Sequence, residues 1–303
     1  LGKELIYFDG GTGTLLQERG LKPGELPETW SLERADDMID IARQYYEAGS
    51  DIVLSNTFGA NALKFHDSRH EIVKAAIENV RKGAKLGVKD GRETYVGLDI
   101  GPTGKLLKPM GDLDFEDAYQ AFAEVARLGE EAGADLIHIE TMSDTYEVKA
   151  AVLAAKENTS LPVFATMIFD EKGKLLTGGD VPAVVTMLEG LRVDALGINC
   201  GMGPEQMLPV VEELIRYASV PVIVQPNAGI PRTVGGKTIY DVDAEAFSDV
   251  MVKMRWELLF SADAAVLRLN LFVLPLRRHA GFHICLPNIN MILLYHPIVV
   301  LWR

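Results

Sequence analysis

Short apolar runs alternate with longer amphipathic stretches over the first 254 residues. Leu5–Phe8, Asp51–Ser55, Tyr95–Leu98, Asp135–Ile139, Pro162–Ile168, Ala195–Asn199 and Pro221–Gln225 read as seven strands. Helical spacing covers Asp36–Ala48, Glu71–Leu86, Phe115–Ala132, Tyr146–Asn158, Pro182–Leu191 and Pro204–Tyr217, and a further helix begins at Ala244 and runs to Met254. In the first of these, Met38, Ile39, Ala42, Tyr45 and Tyr46 share one broad face, and Gly49 is placed to cap the end. A polar loop with Pro23 and Pro27 precedes it. Seven strand–helix units of this length predict an α/β fold with a parallel sheet and right-handed crossovers, and an eighth unit closes a (β/α)8 TIM-type barrel. An open, doubly wound sheet is the alternative. It is disfavoured because no Gly-x-Gly-x-x-Gly follows the first strand.

The pattern breaks after Met254. Residues 255–303 hold two acidic residues, five arginines, no lysine and one glycine, Gly281, and their leucines, histidines and prolines follow neither a strand nor a helix period. The division is therefore residues 1–254 as a barrel domain with strands one to seven, and 255–303 as an anomalous tail. The eighth strand is lost or replaced, which leaves open edges on the first and seventh strands.

Composition narrows the partners. A net charge of -13 speaks against a nucleic-acid ligand, and solubility alone accounts for it. Two cysteines far apart, Cys200 and Cys285, make no disulfide framework, so a reducing, cytoplasmic setting is expected. No signal-peptide pattern opens the chain and no apolar run reaches membrane-spanning length. The first residue is Leu1, which fits a sequence that begins inside a longer chain.

Polar residues gather where the strands end: Asp9, Asn56, Asp99, Glu140, Cys200 and Asn227. In a barrel these ends form one face, where active sites sit. Each alone also reads as a helix-capping loop residue, and the glycines beside them as turn residues. Glu140 closes an apolar strand, so its carboxylate needs a partner, water or a ligand cation. It suits the amino group of an amino acid, and the amides of Gly10 and Gly11 suit the carboxylate of the same molecule. A buried structural ion pair is the other reading of Glu140. Cys200 alone is as much a small apolar side chain as a ligand, since zinc takes three or four protein donors. Strand alternation puts His138 on the face of Glu140, one pleat below it, where a ligand role is not expected. Cys285, His279 and His283 resemble a metal group only superficially.

Six segments carry a resemblance to a known family. Asp9-Gly-Gly-Thr-Gly-Thr14, Gly49-Ser-Asp-Ile-Val-Leu-Ser-Asn-Thr-Phe-Gly59, Asp99-Ile-Gly-Pro-Thr-Gly104, Glu140-Thr-Met142, Gly197-Ile-Asn-Cys-Gly201 and Gln225-Pro-Asn-Ala-Gly229 resemble, in order, the homocysteine S-methyltransferases. The resemblance runs closest to the homocysteine-binding module of cobalamin-dependent methionine synthases and covers residues 1 to about 254. It implies a barrel with Zn2+ at its top holding homocysteine as a thiolate, because a coordinated thiol is deprotonated. It further implies methyl transfer to give methionine, from methylcobalamin on a separate module. Cobalamin- and folate-binding modules or a corrinoid protein are the implied partners, and betaine or S-methylmethionine are alternative donors. Carried over by position, Cys200 is a zinc ligand, Asn227 a weak one, Glu140 the amine anchor, Asp9, Gly10 and Gly11 line the carboxylate site, and Asn56 lines the pocket.

The family's other two zinc ligands are adjacent cysteines in a Gly-Gly-Cys-Cys-Gly-Thr-Thr-Pro-Glu motif on the eighth strand, and this chain lacks it. Residues 255–270 admit a codon choice that, read two bases in, gives Val-Gly-Ala-Ser-Val-Leu-Gly-Gly-Cys-Cys-Gly-Thr-Thr-Pro-Glu, with the cysteine codons straddling Asp263 to Ala265. A frameshift near Met254 is the expectation. The competing expectations are an inactive barrel remnant and an unrelated aldolase-type barrel, but no strand end carries the lysine that the aldolase-type barrel requires.

Overall fold

The structure, a computed structural model, describes residues 6–229 except residue 66, parts of 232–252, and 298–301. The expectations for residues 253–297, including Cys285, its neighbouring histidines and the shifted motif, lie outside the described residues. Seven strands run parallel in the order of the chain: β1 (Ile6–Phe8), β2 (Ile52–Leu54), β3 (Tyr95–Ile100), β4 (Leu136–Met142), β5 (Val163–Met167), β6 (Ala195–Asn199) and β7 (Val222–Gln225). A hairpin of β8 (Arg232–Val234) and β9 (Lys237–Ile239) follows.

The expected open edges are corrected by β10 (Ile298–Leu301), which lies antiparallel between β1 and β7 and closes the barrel. Phe8 pairs with Ile298, and Val224 with Val299. An unpaired edge exposes a row of backbone donors and acceptors, and this short segment satisfies two such rows together. The eighth position of the barrel is thus filled, but by a strand of opposite direction.

The helices are α1 (Thr12–Glu18), α2 (Trp30–Glu33), α3 (Ala35–Ala48), α4 (Arg69–Gly87), α5 (Phe115–Glu131), α6 (Thr145–Asn158), α7 (Val181–Gly190) and α8 (Pro204–Tyr217), with 245–252 also helical. The short α1 and α2 lie in and before the stretch read as a polar loop; Leu15, Leu16 and Trp30 bury there. On α3 the buried face is Met38, Ile41, Ala42, Tyr45 and Tyr46, with Ile39 only half-buried, and Gly49 ends the helix at φ 112°. Asp144 and Asp180 cap α6 and α7, accepting from Tyr146 N–H at 3.0 Å and Ala183 N–H at 3.1 Å.

Two apolar layers result. Phe8, Ile52, Leu136, Phe164, Ala195 and Ile223 point inward from six strands and fill the barrel. The outward residues pack beneath the helices. On β4 the alternation is plain. Ile137 and Ile139 face the helices, Leu136 joins the inner layer, and His138 lies inside against Phe8, ring centroids 5.1 Å apart. Glu140 follows at the mouth.

Gly197 on β6 sits against β7, where an added Cβ would fall 1.9 Å from the Ile223 carbonyl oxygen. Gly197→Ala is expected to cost about 2–3 kcal/mol of folding free energy through forced backbone separation. Urea denaturation reads this directly, and an unchanged midpoint would contradict the close approach.

Candidate active site at the strand ends

The carboxyl ends of the parallel strands carry four acidic groups into one small volume. Asp9 follows β1 and is 3% exposed, and its Oδ2 accepts the Leu54 N–H at 2.9 Å, tying β1 to β2. Asp99 lies within β3, Glu140 within β4, and Glu28 enters from the 27–29 turn, its Oε1 accepting the Gly59 N–H at 2.7 Å. Among the described residues no lysine or arginine pairs with any of the four. Buried carboxylates without a cationic partner cost several kcal/mol each, and for Asp9, Asp99 and Glu140 burial favours the protonated form. Burial holds Asp9 and Asp99 well above the usual carboxylate range. The charges of Glu140 and Asp9 push Asp99 further, and its carboxyl hydrogen-bonds Glu140. Burial raises Glu140 to about 7, with the bond from Asp99 opposing the rise. Oδ1 of Asp99 and Oε2 of Glu28 are buried without a hydrogen-bond partner.

Cys200 stands directly after β6 in a left-handed conformation, φ 57°, and Thr141 of β4 does the same at φ 64°. Each such residue costs about 1–2 kcal/mol. Asn199, 1% exposed, offsets this: its Oδ1 accepts the Thr141 N–H at 2.9 Å. Its Nδ2 reaches Thr141 Oγ1 at 2.7 Å, Glu140 Oε2 at 3.0 Å and Cys200 Sγ at 3.5 Å. Burial pushes the Cys200 thiol up to about 12, with the Glu140 charge adding to it. The sulfur is therefore a thiol at neutral pH and no nucleophile by itself.

The ends of β6 and β7 are zipped together. The Cys200 N–H donates to the Gln225 carbonyl at 2.9 Å, and the Asn227 N–H to that of Met202 at 2.9 Å. Cys200 and Asn227 thus sit on neighbouring loops. Gly10 and Gly11 lead from β1 into α1, and a Cβ on Gly11 would meet open space. Asn56 is placed differently from the other candidates. Its Nδ2 donates to the Pro27 carbonyl at 2.7 Å and to Ser31 Oγ at 3.3 Å, which braces the segment that brings in Glu28. Beneath Glu140, His138 Nε2 lies 3.2 Å from Gln225 Oε1 and 4.0 Å from Glu140 Oε2, and burial lowers it to about 4. A separate cavity of about 470 Å³, lined in part by Lys105, Asp112, Asp117 and Glu124, lies on the flank of α5, away from this mouth.

The homocysteine S-methyltransferase family matches residues 6–267. The chain belongs to this family. Among curated relatives, the methionine synthase of Mycobacterium tuberculosis is 34% identical over 250 residues, covering 76% of this chain and 21% of that protein. The methionine synthase of Mycobacterium leprae is 32% identical over 251 residues, covering 76% and 20%. The chain therefore spans about a fifth of the length of the relatives it matches. The fold is that of the homocysteine methyltransferase MmuM of Escherichia coli in its metallated form, with a TM-score of 0.66, 22% identity, and coverage of 74% of this chain and 84% of that one.

Asn199 and Glu28 were not among the sequence candidates. Asn199 had a signal: like Glu140, it is a polar residue closing an apolar strand. Glu28 had none, because it sits in a polar loop whose burial depends on how the loop folds over the barrel.

The buried pair predicts opposing pH effects. Glu140 keeps its proton in the folded homocysteine methyltransferase barrel up to about 7 but loses it near 4.5 when unfolded, so its contribution falls as pH rises through that window. His138 stays neutral down to about 4 when folded but protonates near 6.5 when unfolded, so stability is lost as pH falls through that range. Relative to the native chain, Glu140→Gln should gain stability as pH rises from 4.5 to about 7 and level off above. His138→Gln should gain as pH falls from 6.5 to about 4. Urea titrations at stepped pH test this, and pH-independent differences would refute it.

Proposed function

We propose that this barrel binds homocysteine for zinc-dependent methyl transfer to its thiol, giving methionine, with the methyl group drawn from methylcobalamin on a partner module. The observation that carries the reading is the pairing of Glu140 with Cys200 through Asn199. It sets a carboxylate that seeks a cation beside a sulfur at the same mouth. In this reading Glu140, with Asp9 and Asp99 behind it, takes the substrate ammonium, and the positive charge supplies what the four acids lack. The backbone at Gly10 and Gly11, where a Cβ on Gly11 would meet no other atom, takes the substrate carboxylate in this reading. The sulfur of the substrate then lies toward Cys200 and Asn227. The methionine synthase relatives support cobalamin- and folate-binding modules, or a corrinoid protein, as partners. Among the described residues no helix is long and apolar enough to cross a membrane, and we place the reaction in the cytoplasm.

The donors do not complete a zinc site. Among the described residues no three Asp, Glu, His or Cys side chains converge to hold a metal ion. Cys200 and Asn227 supply one thiol and one carboxamide, and that thiol holds its proton tightly. Zinc when bound would supply the charge that keeps a thiol ionised. We attribute the shortfall to a shifted reading frame after Met254. The intended chain then carries the barrel through its own eighth strand with the adjacent cysteine pair, and residues 255–303 are out of frame. A second reading, an inactive barrel remnant, rests on the same incomplete donor set.

Three measurements test this. Calorimetry should detect L-methionine binding to the native chain and a loss of about tenfold or more in Glu140→Gln, the scale of a charged hydrogen bond. Equal affinity in the two would remove Glu140 as the amine anchor. Elemental analysis of the purified chain should find far less than one zinc per molecule, and a full equivalent lost in Cys200→Ala would overturn this. Sequencing the coding DNA across Met254 should reveal Cys-Cys in a neighbouring frame, and no such frame would sink the frameshift.

A further inference from the structure

We propose that Asn199 is the positioning residue that sets the spacing between the amine anchor and the sulfur, and thereby selects the chain length of the amino acid bound. This rests on the reading of Glu140 and Cys200 given above and extends it to specificity. The Asn199 carboxamide is buried and fully engaged. Its oxygen takes the Thr141 N–H, and its nitrogen donates to Thr141 Oγ1 and Glu140 Oε2 while lying 3.5 Å from Cys200 Sγ. Two hydrogens on one planar group cannot move independently, so the Glu140 oxygen and the strand-end turn at Thr141 are held at fixed bearings from β6.

The backbone adds a second constraint. Thr141 and Cys200 are both left-handed, at the ends of β4 and β6, and β5 lies between those strands. The Asn199 side chain bridges this gap over the end of β5, and the Cys200 N–H is bonded onward to β7. Thr141, which accepts from Asn199 through Oγ1, also hydrogen-bonds the Cys200 sulfur, so the distance from carboxylate to sulfur is set through the Asn199 carboxamide, the Thr141 hydroxyl and two strained turns. An amino acid presents its amine and its sulfur at a separation set by the methylenes between them. A rigid spacing favours one count, and a difference of one methylene is worth about tenfold or more in such a pocket.

Asn199→Asp is the informative variant. It preserves shape and the acceptor for the Thr141 N–H but removes both hydrogens that reach Thr141 Oγ1 and Glu140. Asn199→Ala removes all the bonds. The measurement is calorimetric affinity of the full chain for L-methionine and for S-methyl-L-cysteine, which is one methylene shorter, with thermal unfolding alongside. The native chain should prefer L-methionine by about tenfold or more, and both variants should bring the ratio below about threefold. A merely structural role would weaken both ligands alike or lower the melting temperature with the ratio kept, and either result overturns the proposal. So does equal affinity of the native chain for the two ligands. Glu140→Gln separates the two levels: unchanged L-methionine affinity there overturns the amine-anchor reading. A Glu140→Gln loss with an unchanged ratio in Asn199→Asp overturns the positioning role alone.

Discussion

Glu140 closes a strand whose inward positions below it are Leu136 and His138, so its carboxylate stands at the rim of a sealed apolar interior. Burial there is what the site depends on. It pushes Asp9 and Asp99 well above the usual carboxylate range, raises Glu140 to about 7 and lowers His138 to about 4 beneath it. Among the described residues no lysine or arginine forms an ion pair with Asp9, Asp99 or Glu140, so the mouth favours a ligand that brings its own positive charge. The ammonium of the proposed amino-acid ligand has that chemistry.

The same burial explains why Cys200 is inert by itself. A thiol pushed up to about 12 beside an acidic group keeps its proton at neutral pH unless a cation takes the proton's place on the sulfur and releases it to solvent. On the proposed reading, one such sulfur among the described residues falls short of a metal centre. The place of an eighth parallel strand is taken by β10, a segment of opposite direction that completes both edges.

Much of the arrangement was legible beforehand because a parallel barrel converts order along the chain into place in space. Seven apolar runs became seven adjacent strands, and the polar residues that ended them met at one face. Strand alternation placed His138 inside below Glu140. What stayed hidden depended on groups whose surroundings come from elsewhere. The buried Glu28 comes from a loop 71 positions before Asp99, the residue whose proton it helps hold. The amide of Asn56 donates to Pro27 and Ser31, partners that only the folded loop brings within reach. Asp99, readable as a cap, became a proton-sharing group only once β4 set Glu140 beside it.

The residue pattern by itself determined the strand–helix repeat and the family. Periodicity and strand direction are local properties, and local properties survive in one dimension. Tertiary structure alone decided which oxygen meets which nitrogen: the Asn199 carboxamide between Glu140 and Cys200, the left-handed turns it holds, and the closure by β10. Hydrogen bonds between residues 59 positions apart, such as that from Asn199 to Glu140, exist only after the strands have taken their places around the barrel.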